Sequence, residues 1–153
     1  MNKWWVALAL ALVAAGGVAA WWLAAPHQDR EVALPADDAT PGEVVAAYLD
    51  ALDAGDCDTA VALREAGTSQ DSTWCADVAS LSNPAIESPR SEDPAWSGRP
   101  ATDEVVSVPV RFDLEMRALR GDGSLGDGSM TWGYRLTRSS DDGPWRIFDQ
   151  GHG

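Results

Sequence analysis

The sequence predicts an α+β protein in which an N-terminal transmembrane helix precedes a helical layer packed on a curved antiparallel sheet. Three observations support this fold class. Residues 4–25 contain no ionisable side chain. Apolar residues recur at helical spacing between residues 40 and 81, and from Val106 onward they alternate with polar residues, as in half-buried strands. Because the helices precede the strands, we expect them to cover the apolar face of the sheet.

The composition of the chain is strongly acidic. Its 153 residues include 24 acidic residues against 11 lysines and arginines, and every acidic residue follows position 26. Lys3 is the single lysine, and the arginines are scattered between Arg30 and Arg146. Binding to nucleic acid requires clustered Lys or Arg side chains. We therefore expect no nucleic-acid partner, and the length leaves room for one compact domain after the N-terminal segment.

The apolar segment from Trp4 to Ala25 has the length and the ends of a membrane-spanning helix. Its 22 residues would extend about 33 Å at about 1.5 Å per residue, enough to cross a hydrocarbon layer of about 30 Å. Tryptophans, which prefer the headgroup layers, stand at both ends as Trp4, Trp5, Trp21 and Trp22. Membrane lipid is thus a predicted partner. The alternative is a cleaved signal peptide, for which Val18-Ala19-Ala20 offers a cleavage site.

The charges around this helix predict its orientation. Lys3 and the terminal amine favour a cytoplasmic N-terminus of residues 1–3, although Arg30 lies just beyond the other end. The predicted location is the cell membrane, crossed once, with the C-terminal domain outside the cytoplasm. Residues 26–39 are polar and contain prolines, so we interpret them as a linker to a domain of residues 40–153.

A capping box predicts the start of the first helix of the domain. Thr40 is the expected N-cap, and Glu43 is the residue that reaches back to it. The helix should end at Gly55 and carry one apolar stripe, which consists of Val45, Tyr48, Leu49 and Leu52. Two shorter helices are expected after it, the second over residues 72–81.

The sequence pattern of the second half of the domain predicts an antiparallel meander. Residues 106–116, 130–137 and 145–150 alternate between apolar and polar side chains, and turn residues separate these runs. A further edge strand is expected near Ala85 to Glu87 or near Trp96. The polar side chains, which would form a solvent-exposed outer face of the sheet, include Arg111, Asp113, Glu115, Arg117 and Arg135.

The two cysteines of the chain, Cys57 and Cys75, are 18 residues apart. In a domain outside the cytoplasm such a pair predicts a disulfide, which would contribute about 3 kcal/mol by closing a loop of this size. A metal site would need further ligands, and a catalytic thiol would need a base. Neither His27, in the linker, nor His152, the penultimate residue, is well placed for these roles. No metal or cofactor is predicted.

Three features together resemble a known superfamily: the stretch from Pro41 to Asp56, the pair Cys57 and Cys75, and the closing Trp145-Arg146-Ile147. They are similar to the nuclear transport factor 2-like superfamily, which has a cystatin-like cone, and particularly to its small membrane-anchored versions in the Gram-positive envelope. The resemblance covers about residues 40–150. It implies a curved sheet wrapped around the long first helix. Some members bind small hydrophobic ligands, some are isomerases or cyclases, and some bind partner proteins.

The resemblance also implies where a site would lie, because enzymes of this superfamily place an acid or a histidine among apolar side chains inside the cone. Asp149 shares the strand parity of Trp145 and Ile147 and would therefore face inward. The side chains expected to line a pocket with it are Tyr48, Trp132 and Tyr134. In the alternative interpretation, Asp149 lies in water at a strand end and the aromatic residues are ordinary core.

These observations predict a membrane-tethered domain of the cell envelope that binds a partner protein or a small ligand and has no catalytic residues. Two alternatives stay open. One is a small-molecule isomerase, cyclase or carrier that uses an open cone. The other is an accessory subunit of an envelope protein assembly.

Overall fold

Helices precede strands in the computed structural model, which describes residues 30–68, 72–117, 126–139 and 143–152. The helices among these residues are α1 (Pro41–Ala54), α2 (Cys57–Ala62) and α3 (Ser72–Asp77). The strands are β1 (Val78–Ile86), β2 (Arg90–Glu92), β3 (Glu104–Met116), β4 (Gly128–Arg138) and β5 (Arg146–His152), with a 3-10 helix (Pro94–Ser97) between β2 and β3. The predicted α+β class is confirmed.

The five strands form one antiparallel sheet, in which the order is β1-β3-β4-β5. β2 pairs with β3 on the same edge as β1. Bulges interrupt the pairing of β1 with β3 and that of β4 with β5. Because a bulge adds a residue to one strand and bends it, the sheet is curved, as predicted.

α1 begins and ends at the predicted residues. The hydroxyl of Thr40 accepts a hydrogen bond from the backbone N–H of Glu43, and the Glu43 carboxylate accepts one from the backbone N–H of Thr40 at 2.7 Å. These bonds satisfy N–H groups that the first helical turn leaves unpaired. Gly55 ends the helix in the left-handed conformation, with φ of 71°. The predicted apolar stripe is buried, and α1 packs against β1 and β3.

α3 is shorter than predicted. It ends at Asp77 rather than near Leu81, and β1 begins at Val78. A bulge between Val78 and Ser80 explains the difference, because the extra residue puts Val78 and Leu81, three positions apart, on the same buried side. A bulged strand thus has the same apolar spacing as a helix.

A disulfide joins Cys57 to Cys75, as predicted. Cys57 is the first residue of α2 and Cys75 belongs to α3, so the bond links the two short helices. Cys75 is buried, and Cys57 packs against the core. Because α2 has only six residues, it depends on tertiary contacts and this bond for its stability.

Residues 30–39, the described part of the predicted linker 26–39, lie against the helices. The backbone N–H of Val32 donates to the carboxylate of Asp56 at 2.9 Å, and the carbonyl of Val32 accepts from the hydroxyl of Thr59 at 3.2 Å. The side chain of Val32 is buried. Val32 therefore packs with the folded domain.

The predicted membrane helix of residues 4–25 and the N-terminal residues 1–3 lie outside the described part of the chain. The same holds for the four tryptophans expected at the headgroup layers, Trp4, Trp5, Trp21 and Trp22. Among the helices that the structure does describe, none combines the length and the apolar character needed to cross a bilayer.

Candidate functional site

Three of the four residues predicted to line a pocket lie together inside the domain. Tyr48 of α1 and Trp132 and Tyr134 of β4 are buried in the core. The ring centroids of the two tyrosines are 5.5 Å apart, in an edge-to-face arrangement. The hydroxyl of Tyr48 donates to the side-chain carbonyl of Gln150 at 3.4 Å. None of these side chains lines either of the two clefts described below.

Asp149, the fourth predicted pocket residue, faces outward, so its predicted orientation was wrong. It is exposed, and its carboxylate lies 3.5 Å from a guanidinium nitrogen of Arg135. The cause is a bulge: Arg135 pairs with Asp149, whereas Leu136 pairs with Ile147. Phe148 is the extra residue, and it reverses the strand parity of the residues after it. The inward residue of β5 beside Tyr48 is therefore not an acid.

The ring of Phe148 contacts two arginines on the outer face of the sheet. The guanidinium carbons of Arg99 and Arg135 lie 4.0 Å and 5.4 Å from the ring centroid. Arg99 is also ion-paired with Glu65, and Arg135 with Glu92. This cluster holds the long connection between β1 and β3 against β4 and β5.

Sequence reasoning missed Arg64, which follows α2. Its backbone forms a parallel bridge with Ile147 of β5. The N–H of Ile147 donates to the carbonyl of Leu63 at 3.0 Å, and the N–H of Glu65 donates to the carbonyl of Ile147 at 2.9 Å. Residues 63–65 thus lie beside β5 like a short additional strand. This pairing determines where the side chain of Arg64 enters the domain.

Arg64 is a buried cation without a counter-charge among the described residues. Its relative exposure is 9%, and its Nε and Nη1 atoms are buried without a hydrogen-bond partner in the protein. No ion pair between described residues includes Arg64, and the adjacent Glu65 is bound to Arg99. Burying a charge is unfavourable by several kcal/mol unless a partner compensates for it. A purely structural arginine would normally be paired in such a position.

Two phenol groups lie close enough to Arg64 to be affected by its charge. Burial raises the pKa of Tyr48, and the charge of Arg64 and a hydrogen bond with it oppose this rise. Burial, together with the neighbouring Tyr48, raises the pKa of Tyr134 well above its ordinary value, again opposed by Arg64. The hydroxyl of Tyr134 has no hydrogen-bond partner in the protein.

A cleft of about 570 Å³ opens beside Arg64. One wall is formed by the end of α2 and the residues after it, and the other by the end of β4 and the start of β5. Its volume is within the range of small-molecule sites, about 300–1,000 Å³. We call it the Arg64 cleft, and its lining residues are Val61, Ala62, Arg64, Glu65, Ala66, Thr137, Arg138, Ser139, Pro144 and Arg146.

The polar lining of the Arg64 cleft is mainly cationic. Arg138 forms an ion pair with Glu104 at 2.8 Å. Arg146 donates to a backbone carbonyl at 3.0 Å and takes part in no ion pair among the described residues. Thr137 is 4% exposed, and its hydroxyl has no hydrogen-bond partner in the protein. The cleft therefore offers positive charge to a ligand and has an unpartnered hydroxyl buried in its lining.

The arginines define the chemistry that is available in the Arg64 cleft. Guanidinium groups donate hydrogen bonds and stay protonated, so they bind oxyanions but do not act as general bases.

Comparison with protein-family models, curated proteins and solved structures gives no match. The chemistry of the cleft thus rests on its own residues. Within residues 30–68, 72–117, 126–139 and 143–152, no three His, Cys, Asp or Glu side chains are grouped to hold a metal ion.

A second cleft, of about 370 Å³, lies at the start of α2, and two of its charged side chains, those of Arg30 and Asp56, are already engaged. The carboxylate of Asp56 accepts hydrogen bonds from the backbone N–H groups of Val32 and Thr59, at 2.9 Å and 3.1 Å, which lower the pKa of Asp56. Arg30 is ion-paired with Asp50. We therefore place the candidate site at the Arg64 cleft.

One feature of the sequence could have indicated Arg64. Ala60, Leu63 and Arg64 have the spacing of a single helical face, and all three are buried. An arginine at such a position usually extends its charged end to water, so the spacing alone predicts no site. The missing counter-charge depends on how the end of α2 packs against β5, and local sequence does not encode that contact.

Proposed function

We propose that the chain is a membrane-tethered, non-catalytic domain of the cell envelope that binds a small ligand in the Arg64 cleft, on a nuclear transport factor 2-like cone. The buried Arg64 is the observation that carries the proposal. Two of its N–H donors have no hydrogen-bond partner, and its charge has no ion-pair partner among residues 30–68, 72–117, 126–139 and 143–152. A ligand that supplied these interactions would turn an unfavourable feature of the domain into binding free energy.

The lining of the Arg64 cleft also supports a small ligand. Binding sites for small molecules are concave and mostly apolar, with a few polar groups that orient the ligand. The cleft combines Val61, Ala62, Ala66 and Pro144 with its arginines and Thr137. This combination suits a small molecule with one polar end.

The predicted anchor and the disulfide support a location outside the cytoplasm. The segment from Trp4 to Ala25 would hold the domain at the membrane, and disulfides persist in oxidising compartments. The bond between Cys57 and Cys75 also constrains α2, the helix that leads directly to Arg64. An oxidising compartment would thus preserve the geometry of the proposed site.

The alternative of an isomerase or cyclase requires a titratable group next to the inner phenols. Tyr48 lies next to Gln150, whose amide has no acid–base role at ordinary pH, and next to Arg64, whose guanidinium does not act as a general base. Asp149 lies on the outer face. A carrier would need Trp132 and Tyr134 to line an open space, yet both are packed in the core. We therefore favour binding in the Arg64 cleft over chemistry inside the cone.

A ligand screen on the full chain in a non-ionic detergent tests the proposal. Anionic, cationic and neutral fragments are added to the ¹⁵N-labelled protein, and backbone amide resonances are followed by NMR. We expect the shifts caused by hits to concentrate on Ala62, Ala66 and Ser139, and Arg64→Met to weaken those hits. Arg111→Met, which changes an exposed arginine of the outer face, is the matched control. Hits that map elsewhere, or a screen without hits, would contradict the proposal.

A further inference from the structure

We infer that the ligand of the Arg64 cleft is a small organic oxyanion, in which a carboxylate or phosphate group is attached to an apolar body. The inference rests on the proposed function and specifies the chemical class of its ligand. The oxyanion would be bound by Arg64, Arg146 and Thr137. The apolar body would contact the apolar part of the cleft lining.

The distribution of ion pairs favours an anionic ligand. Carboxylates are abundant in this chain, which has 24 acidic residues against 11 lysines and arginines. Ion pairs with described carboxylates are formed by Arg30, Arg90, Arg99, Arg135 and Arg138. Arg64 and Arg146, which line the same cleft, form none among the described residues. Within the part of the chain that the structure describes, these two arginines of one cleft have no carboxylate partner, as is also true of Arg111 and Arg117 elsewhere on the domain, and their charges are available to an external anion.

The depth of Arg64 strengthens the attraction. The unpartnered nitrogens of Arg64 and the hydroxyl oxygen of Thr137 are buried, and both residues line the cleft. An oxyanion beside them would be partly removed from water, where the attraction between opposite charges exceeds that at an exposed surface. Arg146, which is partly exposed, would supply a second cation at the rim. Two cations and a hydroxyl match the several acceptor oxygens of a carboxylate or phosphate.

The carboxylate that lines the cleft does not compete for these cations. Glu65 is bound by Arg99 through both guanidinium ends, with Nη1 of Arg99 at 3.0 Å from one carboxylate oxygen. Arg99 in turn lies over the ring of Phe148 on the outer face. The carboxylate of Glu65 is thus engaged in an ion pair with Arg99 and not with Arg64.

The apolar part of the cleft lining is largely exposed. Val61 has a relative exposure of 51%, and Ala62 and Ala66 are also exposed. Together with Pro144 they form a surface that a hydrocarbon or aromatic group would remove from water. A free inorganic ion would use only the cationic part of the lining, so we expect it to bind more weakly than an organic oxyanion.

Titration calorimetry of the full chain in a non-ionic detergent tests the inference with four probes. Phenylacetate carries the charge and the body, and phenylacetamide is its neutral counterpart. Phenyl phosphate carries the other oxyanion, and inorganic phosphate lacks the body. We expect phenylacetate or phenyl phosphate to bind at least tenfold more tightly than phenylacetamide, and inorganic phosphate to bind more weakly than phenyl phosphate. The stronger of the two organic anions identifies the preferred oxyanion.

Variants of the full chain link the measured affinity to the cleft. Arg64→Met should lower the affinity for the stronger organic anion at least tenfold, Arg64→Lys should retain part of it, and Arg111→Met should leave it within twofold. If Arg64→Met does not fold, Arg146→Met replaces it, with a loss of at least threefold expected.

Phenylacetamide that bound as tightly as both organic anions would overturn the anion assignment, as would unchanged affinity in the cleft variants. If inorganic phosphate bound as tightly as phenyl phosphate, the claim that the ligand has an apolar body would be overturned. If neutral fragments bind in the cleft and neither organic anion binds, the proposed function is still supported and only this inference is wrong. Failure of the whole fragment screen would remove both.

Discussion

Arg64 and Ile147 are joined through their backbones by a parallel bridge, so β5 positions a cation that has no counter-charge among the side chains that the structure describes. This pairing brings the end of α2 to the edge of the sheet and forms one wall of the Arg64 cleft. Functional sites often retain such locally unfavourable groups, because a group that is already satisfied within the protein has little to offer a ligand.

Arg64→Met should therefore stabilise the ligand-free chain. Methionine removes the charge and keeps much of the length of the side chain. Replacing even paired buried charges with apolar side chains has stabilised proteins by about 1–4 kcal/mol, and Arg64 has no ion-pair partner among the described residues. The free energy of unfolding, measured by urea denaturation, is expected to rise by about 1 kcal/mol or more. Arg111→Met, on the exposed outer face, should change it by less than about 0.5 kcal/mol. If Arg64→Met instead destabilises the chain, Arg64 has a structural role.

The sequence predicted those elements whose signals are local. The capping box at Thr40 and the strand alternation over residues 106–116 depend on neighbouring residues, and both were confirmed. The disulfide followed from cysteine count and expected compartment. None of these predictions required knowledge of tertiary packing.

Two predictions about the domain failed for a common reason. The end of α3 and the orientation of Asp149 both depend on bulges, one near Ser80 and one at Phe148. A bulge adds a residue without a local sequence signal and reverses the facing of every residue after it. Arg64 was missed because its burial arises from contacts between α2, β4 and β5, which are far apart in the sequence.

Phe148→Ala should weaken the attachment of the connection between β1 and β3. The ring contacts the guanidinium groups of Arg99 and Arg135, and cation–π contacts contribute about 0.5–1 kcal/mol each at partly exposed sites. We expect a loss of about 1–2 kcal/mol in the free energy of unfolding. Trp96→Ala is the control, because Trp96 is 77% exposed and its removal should change stability by less than about 0.5 kcal/mol. Equal losses in the two variants would rule out this role of Phe148.

Removal of the disulfide should affect both stability and ligand binding. The double replacement Cys57→Ser and Cys75→Ser is expected to lower the free energy of unfolding by about 3 kcal/mol. Because α2 leads directly to Arg64, the affinity for phenylacetate or phenyl phosphate, whichever binds more tightly, should fall as well. Dithiothreitol should shift the urea midpoint of the wild-type chain but not that of the double variant. If the urea midpoint of the double variant equals that of the oxidised wild-type chain, the bond contributes nothing to the stability of the helical layer.

Asp56 should make stability depend on pH in the acidic range. Hydrogen bonds from the backbone N–H groups of Val32 and Thr59 lower the pKa of its carboxyl group in the folded chain. Its contribution is therefore present above the ordinary pKa of about 3.9 and is lost as the pH falls through the lower folded-state value. Asp56→Ala should cost about 1 kcal/mol at neutral pH, as loss of an N-cap does.

Asp58→Ala is the matched control for Asp56, because Asp58 is the exposed acid two positions later on α2. Its replacement should leave the pH dependence of unfolding close to that of the wild-type chain. Urea denaturation between neutral pH and about pH 3 checks both variants. A pH dependence that survives in Asp56→Ala would assign it to other carboxyl groups.

The Nε–H resonance of Arg64 in the ¹⁵N NMR spectrum tests the central claim most directly, because that donor has no partner within the protein. The claim predicts a saturable shift of this resonance when phenylacetate or phenyl phosphate is added, at the affinity found by calorimetry. Phenylacetamide should cause no comparable shift, and the Nε–H resonance of Arg111 should stay in place. An Arg64 resonance that does not respond to either anion, or that moves no more than that of Arg111, would contradict the claim.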